Sequence, residues 1–96
     1  VPPQVEPRLW IGNPSTAAAH YDAYENVACV IHGARRFTLY PPDAIGDLYV
    51  GPIDMTMAGQ PASLAAPSGD PARYPRFAAA HARAVTVDLA PGDAMF

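Results

Sequence analysis

Apolar and polar positions along this chain come in short runs broken by proline and glycine, a pattern that predicts strands and turns rather than long helices. Asn26-Val27-Ala28-Cys29-Val30-Ile31 is the clearest case. It is apolar after Asn26 and β-branched at Val27, Val30 and Ile31, which predicts a strand covered on both faces. From Arg36 to Tyr40 the pattern alternates, with Phe37 and Leu39 on one side and Thr38 and Tyr40 on the other. His32-Gly33-Ala34 supplies a tight turn between these runs, so together they predict a β-hairpin ended by Pro41-Pro42. Val85-Thr86-Val87-Asp88-Leu89 alternates again. Ala90-Pro91-Gly92-Asp93 then reads as a turn, because proline pre-sets one backbone angle and glycine permits the next. Ala94-Met95-Phe96 begins a further strand, and Arg8-Leu9-Trp10-Ile11 is a short β-prone run stopped by Gly12-Asn13-Pro14.

Helical signals are few. Residues 43–50 predict a short helix with Asp43 as its N-cap after the proline pair. Residues 78–84 are good helix formers, with Phe77 and either Ala80 or His81 on one side. Residues 15–19 are an approach to the strand that carries His20. Residues 51–70 are rich in Pro, Gly, Ser and Ala without a period, which predicts a long irregular loop of the kind that serves as a lid or a substrate-contact surface. Residues 1–8, with three prolines, are an extended lead-in. Mainly short strands with one or two helices suit a sandwich or barrel.

Composition narrows the picture. Ninety-six residues make one small domain, and a half-apolar composition is enough for a core. A net charge of −3 without any lysine leaves no basic face for general nucleic-acid binding. No apolar run is long enough to span a membrane. The single Cys29 cannot form an internal disulfide, fits a reducing, cytoplasmic setting, and in an apolar strand reads as a small core residue. The chain opens without a methionine and closes on an apolar run with no turn after it, so it is expected to be a piece of something longer.

The candidate chemistry lies at His20-Tyr21-Asp22-Ala23-Tyr24-Glu25-Asn26. In an extended strand His20 and Asp22 point the same way, so an imidazole and a carboxylate can grip one cation. They would be two of the three ligands of a facial two-histidine, one-carboxylate iron site. An H-x-D alone is a weak signal. His32, at a turn, and His81, in the Ala-rich run, read as solvent-facing or helix-packing residues, and Arg36 as half of an exposed hairpin pair. Tyr24 packs on a barrel rim in the plainer reading, and Asn26 satisfies a backbone group at a strand start.

An ordered series adds to that pair: Thr16, His20-Tyr21-Asp22-x-x-x-Asn26, Gly33-x-Arg35-Arg36-Phe37-x-Leu39-Tyr40-Pro41-Pro42, Leu48-Tyr49, Tyr74-Pro75-x-Phe77 and Leu89-x-Pro91-Gly92-Asp93. The series resembles the cupin-like Jumonji C domains of iron(II)- and 2-oxoglutarate-dependent oxygenases, among them bacterial cupin-like proteins and an asparaginyl hydroxylase. It covers residues 9–96, a partial domain truncated at its C-terminal end. The resemblance implies a double-stranded β-helix (cupin or jelly roll), with His20 and Asp22 as iron ligands. Arg35 stands where the family usually has a lysine for the distal carboxylate of 2-oxoglutarate; arginine meets a carboxylate with a planar two-pronged contact. Asn26 and Thr16 fall near the family's other cosubstrate contacts, with Thr16 one residue further from the metal histidine than the family pattern has it. Trp10 and Phe37 are expected as pocket walls, with Trp10 and Tyr24 as substrate contacts. The family's second histidine follows a Pro-x-x-Trp-Trp segment beyond the Pro-Gly-Asp turn, so these 96 residues hold two ligands of three and are expected to be inactive alone. The implied function is hydroxylation of a protein or small-molecule substrate, in a homodimer when full length. The alternative is a metal-binding cupin that senses a small molecule or serves as a protein-interaction module.

Overall fold

The structure is a computed structural model that describes residues 4–52 and 61–96. Among the described residues four short strands, a 3-10 helix and one α-helix form in the order β1 (Ala28–Cys29), β2 (Arg35–Leu39), the 3-10 helix (Pro42–Asp47), α1 (Phe77–Ala82), β3 (Val85–Leu89) and β4 (Ala94–Met95). Pairing is antiparallel and nested. β2 pairs with β3 in the register Arg35↔Leu89, Phe37↔Val87 and Leu39↔Val85, while β1 outside it pairs with β4, Ala28 opposite Met95.

The expected hairpin of residues 26–31 with 35–40 is therefore not formed. Gly33 does turn the chain, at a φ of 78° that glycine adopts without a Cβ clash. The edge of the first run is already taken, however: the Val30 amide donates to the Asp93 carbonyl and the Gly92 amide donates to the Val30 carbonyl. That run is also not covered on both faces. Val30 is buried, but Val27 and Ile31 are exposed, and Cys29 is exposed rather than a core residue. Leu9, Trp10 and Ile11 form no strand and are 72–87% exposed, because β propensity without a pairing edge does not hold an extended segment in place.

Residues 42–47 coil because Pro42 opens the turn with its φ pre-set. The capping residue is Pro41, which has no side-chain donor or acceptor; Asp43, expected as N-cap, sits in the first turn and is held elsewhere. Both Asp43 carboxylate oxygens accept from Arg83 Nη2 at 2.7 Å, tying the end of α1 to the 3-10 helix. Arg76, just before α1, adds a second tie through Asp47 Oδ1 (3.1 Å) and the Gly46 carbonyl (3.0 Å), with its guanidinium 4.8 Å from the centre of the Tyr49 ring. α1 buries Phe77 and Ala80, three positions apart on one face, as the sequence predicts.

The core lies under α1. Phe77, Tyr74 and Ala65 are buried there, flanked by Tyr40, Leu48, Tyr49 and Ala66. Tyr49 meets Tyr74 edge-on at 5.1 Å, which anchors the left-handed backbone at Tyr49 (φ 51°). His81 packs against Phe77 and Tyr40, as expected of a helix-packing histidine, and burial pushes the Tyr40 hydroxyl above its usual pKa.

The loop expected over residues 51–70 is only partly irregular; residues 53–60 lie outside the described residues. Residues 62–64 run between two other segments. The Ser63 amide donates to the Ala19 carbonyl at 2.7 Å on one side, while Gly51 donates to Ala62 and Leu64 to Tyr49 on the other. Single antiparallel bridges join His20 to Ala62 and Val50 to Ser63. Ser63 is 4% exposed, and its hydroxyl closes the array: it donates to the Leu48 carbonyl (2.5 Å) and accepts from the Ala65 and Ala66 amides (3.2 and 3.0 Å). This array connects the His20 segment to the core.

Candidate functional site

His20 is exposed, at the end of the segment pinned to residues 62–63. Its Nδ1 lies 2.7 Å from the Ala18 carbonyl oxygen. A carbonyl only accepts, so Nδ1 carries the proton and the lone pair of the neutral ring sits on Nε2. A metal-binding histidine characteristically shows this arrangement, with one nitrogen fixed by a backbone carbonyl and the other left as the donor.

Asp22 lies two residues on, where the chain leaves the bridge and bends at Ala23 and Tyr24. That bend brings Asn26 back, and its Nδ2 donates to Asp22 Oδ2 at 2.8 Å. The two candidate ligands are thus an imidazole nitrogen and a carboxylate oxygen, each with a hydrogen-bond partner behind it. Imidazole and carboxylate are donor types that a divalent iron site takes together, but the strand expected to align them is not formed: His20 sits in a single bridge and residues 21 and 22 lie outside any strand. Among the described residues no group of three His, Cys, Asp or Glu is placed to hold a metal, so a third protein donor is not in the described residues.

β2 separates its two arginines by the pleat. Arg36 points to the polar side and forms a two-pronged pair with Asp88 across the ladder, at 2.6 and 2.8 Å. That contact raises the Arg36 pKa and lowers that of Asp88, the side-chain hydrogen bond being the larger cause in both. Arg36 is exposed, as the sequence suggests, but it lies on a β2–β3 ladder rather than a hairpin with residues 26–31, and its partner is Asp88. Arg35 shares the other face with Phe37, its guanidinium 5.7 Å from the ring centre, and lies in register with the buried Leu89. The face carrying Arg35 is the apolar one, and its charge is not spent on Asp88.

The remaining candidates stand apart from this geometry. Thr16, Trp10 and Tyr24 are exposed, Trp10 at 79% and Tyr24 at 86%, so neither aromatic is a wall of a formed pocket within the described residues. Phe37, expected beside Trp10, is half-buried. Sequence reasoning missed Ser63, which connects the His20 segment to the core. Its only signal is a serine in a run of small residues, where a hydroxyl can accept from the amides two and three positions on.

Residues 2–96 match the cupin-like domain family, and the chain belongs to it. It is 31% identical over 80 residues to a lysine-specific demethylase of Arabidopsis thaliana, an alignment covering 83% of this chain and 14% of that protein. It is 30% identical over 96 residues to Jumonji C domain-containing protein 5 of Drosophila melanogaster, covering 99% of this chain and 23% of that protein. The chain thus spans less than a quarter of the length of either relative. No solved structure matches it. Among the described residues no helix is long and apolar enough to cross a membrane.

Proposed function

We propose that this domain carries the metal- and cosubstrate-binding face of an iron(II)- and 2-oxoglutarate-dependent oxygenase, on part of a double-stranded β-helix. The observation that carries the reading is a His20 ring whose Nδ1 lies against the Ala18 carbonyl, with a carboxylate that accepts from Asn26 two residues further along the chain. The nested pairing of β2 with β3 inside β1 with β4 supports the fold, since a jelly roll is a long antiparallel ribbon rolled on itself. Cupin-like membership and Jumonji C relatives support the chemistry.

In this reading His20 Nε2 and one Asp22 oxygen bind the metal, and a third donor comes from outside the described residues. Arg35, on the apolar face of β2–β3, holds the distal carboxylate of 2-oxoglutarate with a planar contact. Thr16 adds a hydroxyl to the cosubstrate, and Trp10 and Tyr24 meet the substrate. Bound iron(II) and 2-oxoglutarate would activate dioxygen, one oxygen atom going to the C–H bond of the substrate and the other to succinate as 2-oxoglutarate loses carbon dioxide. The residues of this chain supply position and charge. A demethylase among the relatives favours an N-methylated protein side chain as substrate, because hydroxylating an N-methyl group leads to its loss as formaldehyde. A cytoplasmic homodimer is the expected setting.

The test is turnover. Full-length protein incubated with iron(II), oxygen, 2-oxoglutarate and candidate peptides is expected to form succinate, and H20A is expected to form none. Iron binding without 2-oxoglutarate binding would instead favour a sensing cupin. Absence of binding by either would leave an interaction module.

A further inference from the structure

We infer that Ser63 is a positioning residue for His20, its buried hydroxyl setting how rigidly the candidate metal ligand is held. The inference rests on the oxygenase reading in taking His20 as a ligand, while the coupling is drawn from the hydrogen bonds themselves. His20 is exposed and lies outside any named strand, so burial does not hold it. Its segment is joined to residues 62–63 by the bridge to Ala62, in which the Ser63 amide donates to the Ala19 carbonyl at 2.7 Å. The imidazole in turn lies against the Ala18 carbonyl, 2.7 Å from Nδ1. The backbone of His20 and the carbonyl beside its ring therefore both move with the stretch that Ser63 holds.

Ser63 is itself fixed from the buried side. It is 4% exposed, and its hydroxyl donates to the Leu48 carbonyl while accepting from the Ala65 and Ala66 amides. Three bonds on one oxygen restrict the side chain to one rotamer and tie the turn that follows to residue 48. The peptide plane that aims the Ser63 N–H at Ala19 is set by the same contacts. Without the hydroxyl, two amides lose their acceptor and that plane is free to tilt. The effect reaches His20 only through the backbone, along a contiguous chain of hydrogen bonds. A ligand held less rigidly binds a metal more weakly, because binding must then order it. By reciprocity, a metal held by His20 must tighten residues 62–64.

The experiment uses the full-length protein and manganese(II), a redox-inert stand-in for iron. Affinity is read by electron paramagnetic resonance well below the melting transition, where circular dichroism shows S63A folded. S63A is expected to bind manganese about 10-fold more weakly than wild type, the lower end of what losing an outer partner of a ligand costs. Ala80 is buried in α1, outside this array. A80G is therefore expected to lower the melting midpoint and leave the affinity unchanged, which separates positioning from general destabilisation. A second arm needs no variant: saturating manganese is expected to slow amide hydrogen exchange over residues 62–66 in wild type and to leave residues 77–82 unaffected. A folded S63A that binds as tightly as wild type would overturn the inference. So would an equal loss in A80G, or exchange over residues 62–66 that manganese does not alter. Manganese bound equally well by H20A would overturn the oxygenase reading beneath it.

Discussion

Removing one hydroxyl, in Ser63→Ala, tests whether the array of residues 19–20, 62–64 and 49–51 is held as the structure shows. The Ser63 oxygen makes three hydrogen bonds, to the Leu48 carbonyl and from the Ala65 and Ala66 amides. Ala65 is 0% exposed, so no water replaces the lost acceptor there, whereas Leu48 and Ala66 are half-buried and open to water. A buried donor left unpaired costs about 1–3 kcal/mol, and a hydrogen bond that water can replace costs about 1 kcal/mol or less. The expected loss is therefore about 2–3 kcal/mol, a drop in melting midpoint on the order of 10 °C for a domain of this size. Thermal or urea unfolding followed by circular dichroism reads it. Ser68→Ala is the control, because that hydroxyl is exposed and accepts only a 3.4 Å bond from the Asp70 amide; its effect is expected within about 0.5 kcal/mol. Equal midpoints for the two variants would refute the bridging role of Ser63.

Phe77→Ala empties the centre of the aromatic cluster and is expected to cost about 3–5 kcal/mol, enough to abolish a cooperative melt in so small a domain. A sharp transition retained near the wild-type midpoint would contradict the core assignment. Gly92→Ala places a Cβ where it meets no atom but at a φ of 98°, so a loss of about 1–2 kcal/mol is expected from the backbone alone. Gly46→Ala, with open space and no such φ, is expected to be neutral or slightly stabilising in the same urea titration. Hydrogen bonds from Arg83 and Arg36 hold Asp43 and Asp88 below the ordinary carboxylate value of 3.8. Folded-state values below the unfolded ones mean these pairs contribute fully above about pH 4 and lose their contribution as pH falls through the lowered values. Urea midpoints of R83A should therefore differ from wild type at pH 6 and converge with it near pH 2, with the difference shrinking in high salt.

The parts legible in the sequence are those fixed locally. Alternation gave Val85–Leu89, an alanine-rich run gave α1, and Pro91-Gly92 gave the turn before β4. In that turn the Asp93 carboxylate also accepts from the Ala90 amide at 2.8 Å. Pairing partners were not legible, because alternation says which face a residue takes and nothing about which distant strand lies alongside. That is why residues 26–31 read as a hairpin partner of 35–40 when their partner was 92–95. Residues 61–66 read as loop because their order comes from backbone bonds and a single hydroxyl, which leave no hydrophobic period. The His-x-Asp spacing marks a candidate pair only in company with the ordered series around it. The Asn26 contact was hidden, since it depends on a bend at Ala23 and Tyr24 that no glycine or proline marks.

The assignment of His20 and Asp22 as metal ligands is tested most directly by iron(II) affinity measured anaerobically on full-length protein and on its H20A and D22A variants. Wild type should bind one iron, and each variant should lose more than the roughly 100-fold that removing an outer partner costs, with its melting midpoint in the absence of metal held. Iron bound equally well by all three proteins would contradict the assignment.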